Sequence, residues 1–287
     1  MKLEEIYSQN KQIISLEIFP PKENFEQKTE VLKSEVKKLM KYKPSLISIT
    51  HGAGGTYSGN SLVLIKQIKD NFDISIMPHF TCVNATFDSV KYFINKLKEL
   101  KIDNILALRG DLPKDIEYAC DDFKHADSLV SFIKKKTDLS IAVAGYPEKH
   151  PEANSLEEDI SYLLNKTSKG SKHIFTQLFF DNDVFKSYYC KIKSKNSELT
   201  VIPGILPIVS YSQITRMCSL CGTKIPDSLM NNIEKYKDNP EDIKKLGIDY
   251  AINQIKDLQK FGIKNFHMYT LNKAGIISAI LDEIRDN

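Results

Sequence analysis

The chain has 287 residues, of which 41% are hydrophobic and 27% are charged, so it can bury a large core and is not globally disordered. Lysine and arginine outnumber aspartate and glutamate by only three, 40 against 37, which excludes the bulk positive field that nucleic acids and anionic membranes attract. We therefore expect neither a nucleic-acid partner nor a membrane partner.

The amino-terminal segment MKLEEIYSQNKQIISLEIF has acidic and amide side chains where a signal peptide needs a continuous apolar stretch. Nowhere in the chain do eighteen apolar residues follow one another, so the sequence predicts no transmembrane helix. The five cysteines are an odd number scattered through a large chain, which favours reduced thiols over a disulfide framework. Together these features predict a cytoplasmic protein.

Two of the cysteines, Cys218 and Cys221, form a C-x-x-C, which is half of the usual zinc or redox motif. The surrounding sequence ITRMCSLCGTKIP is typical of a helix end, with Gly222 past the last turn. No second C-x-x-C and no nearby pair of histidines completes a zinc tetrahedron. We predict two helical thiols and no metal site.

Eight short runs rich in β-branched residues alternate along the chain with longer stretches of helical period. This pattern is typical of repeated βα units that build a parallel sheet. The predicted strands cover residues 13–18, 45–50, 74–79, 105–109, 141–145, 174–177, 201–205 and 265–269. The predicted helices between them include residues 29–40, 61–71, 86–100, 127–136 and 155–169.

The spacing of the strands favours a (β/α)8 TIM barrel, formed as one domain over residues 1–287. The last interval between strands is the longest and contains two predicted helices, 212–220 and 240–261, so we expect an extra helical excursion before strand eight. A final helix over residues 274–285 closes the ring. The alternative, an open doubly wound sheet, needs a glycine-rich turn after its first strand for a dinucleotide, and the segment FPPKEN has no glycine.

Polar side chains collect at the carboxyl ends of the predicted strands, where barrels of this kind carry their chemistry. Taken singly, each has a structural explanation: Glu17 could be a buried ion-pair partner, Arg109 could pair with Asp111 and fasten a loop, and His79 could be a core histidine that donates to a carbonyl. Several strand ends that present hydrogen-bonding groups to one face are, however, what a ligand pocket requires. The residues concerned are Glu17, Thr50, His51, His79, Arg109, Asp111, Tyr146, His150, Gln177, Asp181, Tyr211, Tyr269, Thr270 and Asn272.

Glu17 is the strongest candidate for a working acid, because it lies in the apolar run SLEIF, where an unpaired charge is costly to bury. To donate a proton near neutral pH, it needs a pKa raised by its apolar neighbours or by Asp111. Two glycine-containing turns, HGAGGT at 51–56 and RGDLP at 109–113, would let the backbone approach a ligand, although ordinary βα turns have similar sequences.

An ordered series of motifs resembles that of methylenetetrahydrofolate reductases. The motifs are SLEIFPPK, ITHGAGGT, HFTCV, NILALRGDLP, AGYPEKHPEA, TQLFFD, IPGILP and HMYTLN, and NILALRGDLP and YPEKHPEA in this order are the most specific of them. The resemblance implies a barrel that holds FAD at the carboxyl ends of its strands. It also implies that NADH or NADPH and then 5,10-methylenetetrahydrofolate react there in turn, giving 5-methyltetrahydrofolate.

The resemblance also assigns roles to individual residues. It implies that Glu17 is the general acid, that Asp111 lies near the flavin ring and the pterin, and that Gln177 hydrogen-bonds the folate. Tyr211 and Lys273 match further substrate-binding positions. The cofactor-binding positions are Thr50, His51, His79, Arg109, Gly110, Asp111, Tyr146, His150, Asp159 and Lys166.

Some positions depart from the family pattern. His51 stands where the family commonly has Tyr or Trp, Tyr211 where it often has Phe, and Lys273 where Arg is frequent, and the stretch TYSGNS lacks an arginine often found there. Two other functions stay open: a folate-binding barrel methyltransferase, or its subunit, without flavin, and an FAD subunit that a partner protein reduces. The sequence does not distinguish NADH from NADPH, and the resemblance favours a homo-oligomer.

Overall fold

The computed structural model describes residues 1–50, 59–110 and 122–284, and its strands form a closed barrel. Eight parallel strands pair in chain order, and β8 closes on β1 with Ile13 opposite Asn265 and Glu17 opposite Tyr269. The predicted TIM barrel is therefore confirmed. The strands are β1 Ile13–Ile18, β2 Leu46–Ile49, β3 Ser75–Thr81, β4 Asn104–Leu108, β5 Ser140–Gly145, β6 His173–Leu178, β7 Thr200–Ile205 and β8 Asn265–Tyr269.

Helices surround the barrel, and one short helix precedes it. They are α1 Leu3–Tyr7, α2 Phe25–Leu39, α3 Gly59–Asn71, α4 Phe87–Glu99, α5 Ala126–Lys136, α6 Leu156–Ser168, α7 Asn182–Lys195, α8 Tyr211–Cys221, α9 Asp227–Lys235, α10 Pro240–Lys260 and α11 Ala274–Ile284. In the part of the chain that the structure describes, no helix is both long enough and apolar enough to span a membrane.

Side-chain caps account for several differences between the predicted and observed helix ends. Thr86 and Ser155 were predicted as helical, but both have extended backbones and their hydroxyls accept hydrogen bonds from the backbone N–H groups of Ser89 and Glu158. They are N-caps, so α4 and α6 begin one residue later. Residue 285, predicted as the end of the last helix, lies outside the described residues.

The predicted excursion before the eighth strand is present, but it contains three helices rather than two. The additional helix is α9, which buries Leu229 and Ile233 against the apolar cluster beneath α8 and α10. The sequence analysis also did not identify α1 or α7.

The barrel strands alternate between two environments. On β1, Ile14, Leu16 and Ile18 pack outward against the surrounding helices, while Ile13, Ser15 and Glu17 point into the barrel. The inward side chains nearest the amino end are apolar and form a separate cluster, comprising Ile13, Leu46, Met77, Leu106, Ala142, Phe175 and Ile202.

Helix α1 closes the amino end of the barrel by inserting Leu3 and Ile6, both fully buried, into this cluster. Each such side chain contributes roughly 1.5–3 kcal/mol by burial. Polar contacts fix the helix in place: Ser140 Oγ donates to a Glu4 carboxylate oxygen at 2.6 Å, and Asn104 Nδ2 donates to the Met1 carbonyl at 3.0 Å. The described residues therefore fill the amino end of the barrel with apolar side chains.

Candidate active site

A cavity of about 820 Å³ opens at the carboxyl end of the barrel. It is of the size that small-molecule and cofactor sites usually have. Eleven of the residues predicted to form the site line it: Glu17, Thr50, His79, Arg109, Gly110, Tyr146, His150, Asp159, Lys166, Gln177 and Tyr269. Two further predicted residues, His51 and Asp111, lie outside the described residues.

Glu17 lies on the floor of this cavity between two histidines. Its Oε2 atom is 3.6 Å from His79 Nε2 on β3 and 3.5 Å from His267 Nε2 on β8. Its backbone is also fixed, because Thr270 Oγ1 donates to the Glu17 carbonyl at 2.6 Å. The carboxylate is thus held in one place at the meeting point of three strands.

The surroundings of Glu17 act on its pKa in opposite directions. Burial raises the pKa, but the hydrogen bond with His267 and the electrostatic interactions with His79 and His267 lower it, and the net result is below the usual value of 4.5. The expectation that its environment raises the pKa of Glu17 is therefore wrong for this geometry. The reason is that two imidazoles, and not only apolar side chains, surround the carboxylate.

His267 is the main functional candidate that the sequence analysis missed. It is 1% exposed, its Nδ1 atom lies 2.8 Å from Ser15 Oγ, and the rings of Phe175 and Tyr269 pack edge-on against it at 5.0 and 5.5 Å. The strand NFHMY carries the signal that could have found it. Since Tyr269 was placed at the strand end, alternation also directs residue 267 into the barrel.

Arg109 is oriented by the loop between β5 and α6. Its two terminal nitrogens donate to the two carboxylate oxygens of Glu152 at 2.7 and 2.8 Å, and this pair holds the pKa of Glu152 below its usual value. Asp159 fixes the same loop by accepting a hydrogen bond from the His150 backbone N–H at 3.0 Å. The predicted cofactor residues of β4, of this loop and of α6 therefore form one connected wall.

Lys166 provides a second cation on this wall. Its Nζ donates to the Ala144 carbonyl at 2.9 Å. Burial lowers its pKa to about 8, while the nearby Asp159 carboxylate acts in the opposite direction. Lys166 is therefore a desolvated ammonium that an anionic ligand would stabilise.

Glycines allow close approach at two points of the site. Gly110 has φ +85°, and a Cβ there would come within 2.9 Å of Thr81 Cβ. On β7, a Cβ at Gly204 would come within 2.4 Å of the Thr176 carbonyl oxygen, which accepts a hydrogen bond from the Tyr269 hydroxyl at 2.9 Å. Gly204 thus provides the space in which Tyr269 closes the cavity wall.

Comparison of the sequence with known proteins identifies the family of this chain. The sequence model described as Methylenetetrahydrofolate reductase matches residues 2–285. The chain belongs to the methylenetetrahydrofolate reductase family. The resemblance seen in the motif series is confirmed over nearly the whole chain.

Relatives in this family include bacterial and plant proteins. The 5,10-methylenetetrahydrofolate reductase of Escherichia coli (strain K12) is 34% identical over 271 residues, covering 93% of this chain and 88% of that protein. The Pectobacterium carotovorum protein of the same name is 33% identical over 267 residues, with the same coverage. Methylenetetrahydrofolate reductase (NADH) 1 of Arabidopsis thaliana is 33% identical over 290 residues, covering 94% of this chain but 48% of that protein.

Solved structures share the barrel fold. An uncharacterized protein from Clostridium thermocellum, described as binding two copies of 5-methyl-5,6,7,8-tetrahydrofolic acid, has a TM-score of 0.69 at 17% identity and covers 98% of this chain and 97% of that one. Dihydropteroate synthase from Xanthomonas albilineans, in complex with 7,8-dihydropteroate, has a TM-score of 0.52 at 9% identity, with 94% and 91% covered. At these identities the likeness concerns the fold alone.

The three predicted substrate residues of the family pattern are placed differently. Gln177 lines the cavity, and its Oε1 atom accepts a hydrogen bond from the Leu178 backbone N–H at 2.9 Å. Tyr211 is the first residue of α8 and packs, partly buried, against the cluster beneath that helix. Lys273 is exposed. Neither Tyr211 nor Lys273 is among the residues that line the cavity, so their roles stay predictions.

The cavity also has lining residues that the sequence analysis did not assign to the site. Among these, Asn165 Nδ2 donates to Asp127 Oδ2 at 3.2 Å, which joins α6 to α5. The lining residues without a predicted site role include Thr81, His125, Asp127, Glu152, Tyr162, Asn165, Met217, Cys221 and His267. Five of these nine lie on helices, away from the strand ends: Asp127, Tyr162, Asn165, Met217 and Cys221.

The C-x-x-C motif lies in the last turn of α8, as predicted, and Gly222 caps the helix with φ +70°. Cys218 is buried, and burial raises the pKa of its thiol to about 12. Within the described ranges, no group of three or more His, Cys, Asp or Glu side chains is arranged to hold a metal ion.

Proposed function

We propose that the protein catalyses the FAD-dependent reduction of 5,10-methylenetetrahydrofolate to 5-methyltetrahydrofolate, with NADH or NADPH as the electron donor and the two substrates reacting in turn. The observation that carries this proposal is a partly buried carboxylate, Glu17, on the floor of a cavity whose wall presents two fixed cations, Arg109 and Lys166. Membership of the methylenetetrahydrofolate reductase family supports it. We further propose that the protein acts in the cytoplasm as a homo-oligomer.

The residues of the cavity wall fit FAD. Lys166 is a desolvated ammonium whose depressed pKa of about 8 would recover beside an anion such as a pyrophosphate. Gly110 brings the backbone close to the cavity, and the Arg109 guanidinium is already oriented by Glu152. The residues proposed to hold the cofactor are Thr50, His51, His79, Arg109, Gly110, Asp111, Tyr146, His150, Asp159 and Lys166.

Bound FAD would supply a two-electron carrier between the nicotinamide and the methylene carbon of the folate. The protein's own contribution is a proton. Opening the five-membered ring that contains the methylene bridge requires protonation of the departing nitrogen, and a positioned acid typically contributes about 10²–10⁴-fold to such a step. We assign this donation to Glu17.

Because the two histidines favour the ionised form of Glu17, the carboxylate must take up a proton before each folate reduction. Folate that covers the cavity floor would exclude water there, and desolvation raises the pKa of a carboxyl. Asp111 is proposed to accept hydrogen bonds from the pterin and to tune the reduction potential of the cofactor. Gln177 is proposed to form a hydrogen bond with the folate. Tyr211 and Lys273 are proposed to contact the folate from α8 and from the loop after β8.

The decisive experiment follows each half-reaction separately by anaerobic stopped-flow spectroscopy of the purified protein loaded with FAD. We expect NADH or NADPH alone to bleach the flavin, and 5,10-methylenetetrahydrofolate to restore its absorbance. Binding of folate by a protein that does not retain FAD would instead favour the methyltransferase alternative. Bleaching that needs an added protein fraction would favour an FAD subunit served by a partner.

A further inference from the structure

A file of polar groups runs through the interior of the barrel beneath Glu17. The Tyr7 hydroxyl on α1 lies 3.4 Å from Ser15 Oγ, Ser15 Oγ lies 2.8 Å from His267 Nδ1, and His267 Nε2 lies 3.5 Å from Glu17 Oε2. Ser15 and His267 are 0% and 1% exposed. The proposed acid is therefore connected to buried groups that the chemistry described above does not use.

The Ser15 hydroxyl has two possible acceptors, and this freedom matters for His267. Ser15 Oγ lies 2.8 Å from His267 Nδ1 and 3.3 Å from the Phe266 carbonyl oxygen. When the hydroxyl donates to Nδ1, the neutral imidazole carries its proton on Nε2, which then donates to the Glu17 carboxylate. This first arrangement matches an ionised Glu17.

When the hydroxyl donates to the Phe266 carbonyl, Ser15 Oγ can accept a hydrogen bond from His267 Nδ1. The imidazole then carries its proton on Nδ1, and its bare Nε2 atom can accept a hydrogen bond from Glu17 only when Glu17 is protonated. This second arrangement matches the acid form. His267 carries one proton in both arrangements, so the two differ by a single proton, which lies on Glu17 and exchanges with solvent.

We propose that Ser15 and His267 are positioning residues that form a tautomer relay, in which the direction of the Ser15 hydroxyl sets whether Glu17 is held as a carboxylate or as an acid. The relay rests on the proposed function, in which Glu17 must alternate between these two forms. The relay provides a hydrogen-bonding partner for both the carboxylate form and the acid form of Glu17.

Ser48, which also lies beside His267, does not choose between the two arrangements of the relay. Ser48 Oγ lies 3.5 Å from His267 Nε2, and because a hydroxyl can donate or accept, it suits either tautomer. The titratable groups of the described residues that face Glu17 are His79 on β3 and His267 and Tyr269 on β8. Ser15 is the group that changes partner.

The variant Ser15→Ala removes only the hydroxyl, and its effect has a definite sign. In the second arrangement it leaves a buried imidazole N–H without an acceptor, whereas in the first it leaves only a lone pair without a donor. Since unpaired buried N–H groups are the rarer of the two in proteins, we expect Ser15→Ala to favour the first arrangement and the carboxylate. The pKa of Glu17 should fall by about one unit, which corresponds to one lost hydrogen bond.

The test measures this on the protein without substrates. Infrared difference spectra over a pH series follow the carbonyl band of protonated Glu17, assigned by its absence in Glu17→Gln, and NMR of ¹⁵N-labelled histidine reports which nitrogen of His267 is protonated. We expect the His267 tautomer to change together with the protonation of Glu17. We expect Ser15→Ala to shift both titrations downward and Ser15→Thr, which restores a hydroxyl, to return them.

The same variants are then assayed for the two half-reactions. Ser15→Ala should slow folate reduction about tenfold on the alkaline side of its pH profile, moving that limb down by about one unit, and leave flavin reduction by NAD(P)H unchanged. The matched control Ser140→Ala removes another buried strand hydroxyl and should change neither.

A wild-type protein that reduces folate while His267 keeps one tautomer through the titration of Glu17, or a Ser15→Ala variant with an unshifted titration, would overturn the relay. The expected titrations in a protein that does not reduce folate would overturn the proposed function and leave the relay in place.

Discussion

The two ends of the barrel differ in what their inward side chains do. At the amino end, apolar residues such as Ile13 and Met77 meet Leu3 and Ile6 of α1 and exclude water. At the carboxyl end, the same strands present Glu17, Thr50, His79, Arg109 and Gln177 to an open cavity. The difference shows that one strand contributes to the sealed core at its start and to the cavity wall at its end.

The change from one end to the other is gradual along each strand. On β1 the inward positions run from Ile13 through Ser15 to Glu17, and on β3 from Met77 to His79. The polar residues of this intermediate level, Ser15 on β1 and His267 on β8, are fully buried and hydrogen-bonded to each other. These polar residues allow the Glu17 carboxylate to lie above the apolar plug, which is the cluster that Leu3 and Ile6 of α1 complete, without the cost of an unpaired buried charge.

The largest effect that we expect from a change at the carboxyl end of the barrel is that of Glu17→Gln on folate reduction. The amide cannot donate the proton that the departing nitrogen needs, so we expect folate reduction to fall about 10²–10⁴-fold while FAD binding and reduction by NAD(P)H stay close to normal. Stopped-flow measurement of both half-reactions tests this. The matched control Glu4→Gln changes a carboxylate at the amino end and should leave both half-reactions intact. Equal slowing of the two half-reactions by Glu17→Gln would mean that Glu17 has a structural role.

At the amino end, Ile6→Ala in α1 should have the opposite effect, a loss of stability without a loss of activity. Removing a fully buried side chain from the plug should lower the free energy of unfolding by about 2–5 kcal/mol and leave the cavity chemistry unchanged below the unfolding temperature. Urea unfolding, together with steady-state assays, measures both. Val31→Ala is the control, since Val31 is 60% exposed and its truncation should cost no more than about 0.5 kcal/mol. If Ile6→Ala changed KM or kcat as much as stability, the two ends would be coupled.

At the carboxyl end, Lys166→Ala should weaken FAD retention about tenfold to a hundredfold, because one charge-assisted contact contributes about 1.5–3 kcal/mol. Isothermal titration of the apoprotein with FAD gives the dissociation constant. Lys169→Ala, an exposed lysine at the end of the same helix, is the matched control. Unchanged affinity in Lys166→Ala would remove Lys166 from the cofactor site.

A pH-dependent stability prediction concerns the amino end. Burial lowers the pKa of His173, which lies beside Glu4 and the ring of Tyr7, from 6.5 to about 4. The unfolded chain therefore binds more protons than the native state between these values, and stability is lost as the pH falls from about 6.5 toward 4. His173→Gln should remove this contribution, so that between pH 6 and pH 5 the wild type loses up to about 1 kcal/mol more than the variant. Parallel acid-induced losses in both proteins would show that His173 does not contribute.

The sequence could predict the barrel because its signal is repeated eight times. The strand bounds of β1 and β8 agree with the prediction to the residue, and the other strands differ at one or both ends by one or two residues. Helix α1 could not be predicted in this way. Five residues are too few to form a stable helix alone. Helix α1 is stabilised because Leu3 and Ile6 fill the end of the barrel, and the strands of that barrel come later in the chain.

The candidate site shows the same limit at the level of single residues. Motifs and strand ends located eleven cavity residues, because those signals are local. The pKa of Glu17 was misjudged because it depends on His267, which is 250 residues away in the chain and opposite only once the barrel closes. Similarly, the Glu152 partner of Arg109 lies 43 residues away, and its identity depends on how the loop after β5 folds back.

The smallest expected effect is that of Tyr7→Phe, a variant that alters helix α1 at the amino end and is measured through the pKa of Glu17 in the cavity. Burial raises the pKa of Tyr7, so its hydroxyl is a neutral donor to Ser15 Oγ. That donation strengthens the Ser15 hydroxyl as a donor to His267 and competes with His267 Nδ1 for the oxygen of Ser15. Both consequences favour the carboxylate form of Glu17.

Removing the Tyr7 hydroxyl should therefore raise the pKa of Glu17 by a few tenths of a unit at most, since the contact is long at 3.4 Å, and the sign is opposite to that of Ser15→Ala. Infrared titration of the Glu17 carbonyl band measures the shift, with Tyr42→Phe as the control, because the Tyr42 hydroxyl bonds to Asp282 on the outer face of the barrel. A downward shift would mean that the plug acts on Glu17 by a route other than Ser15. A raised pKa would show that Tyr7, at the sealed end of the barrel, influences the protonation of Glu17 at the open end.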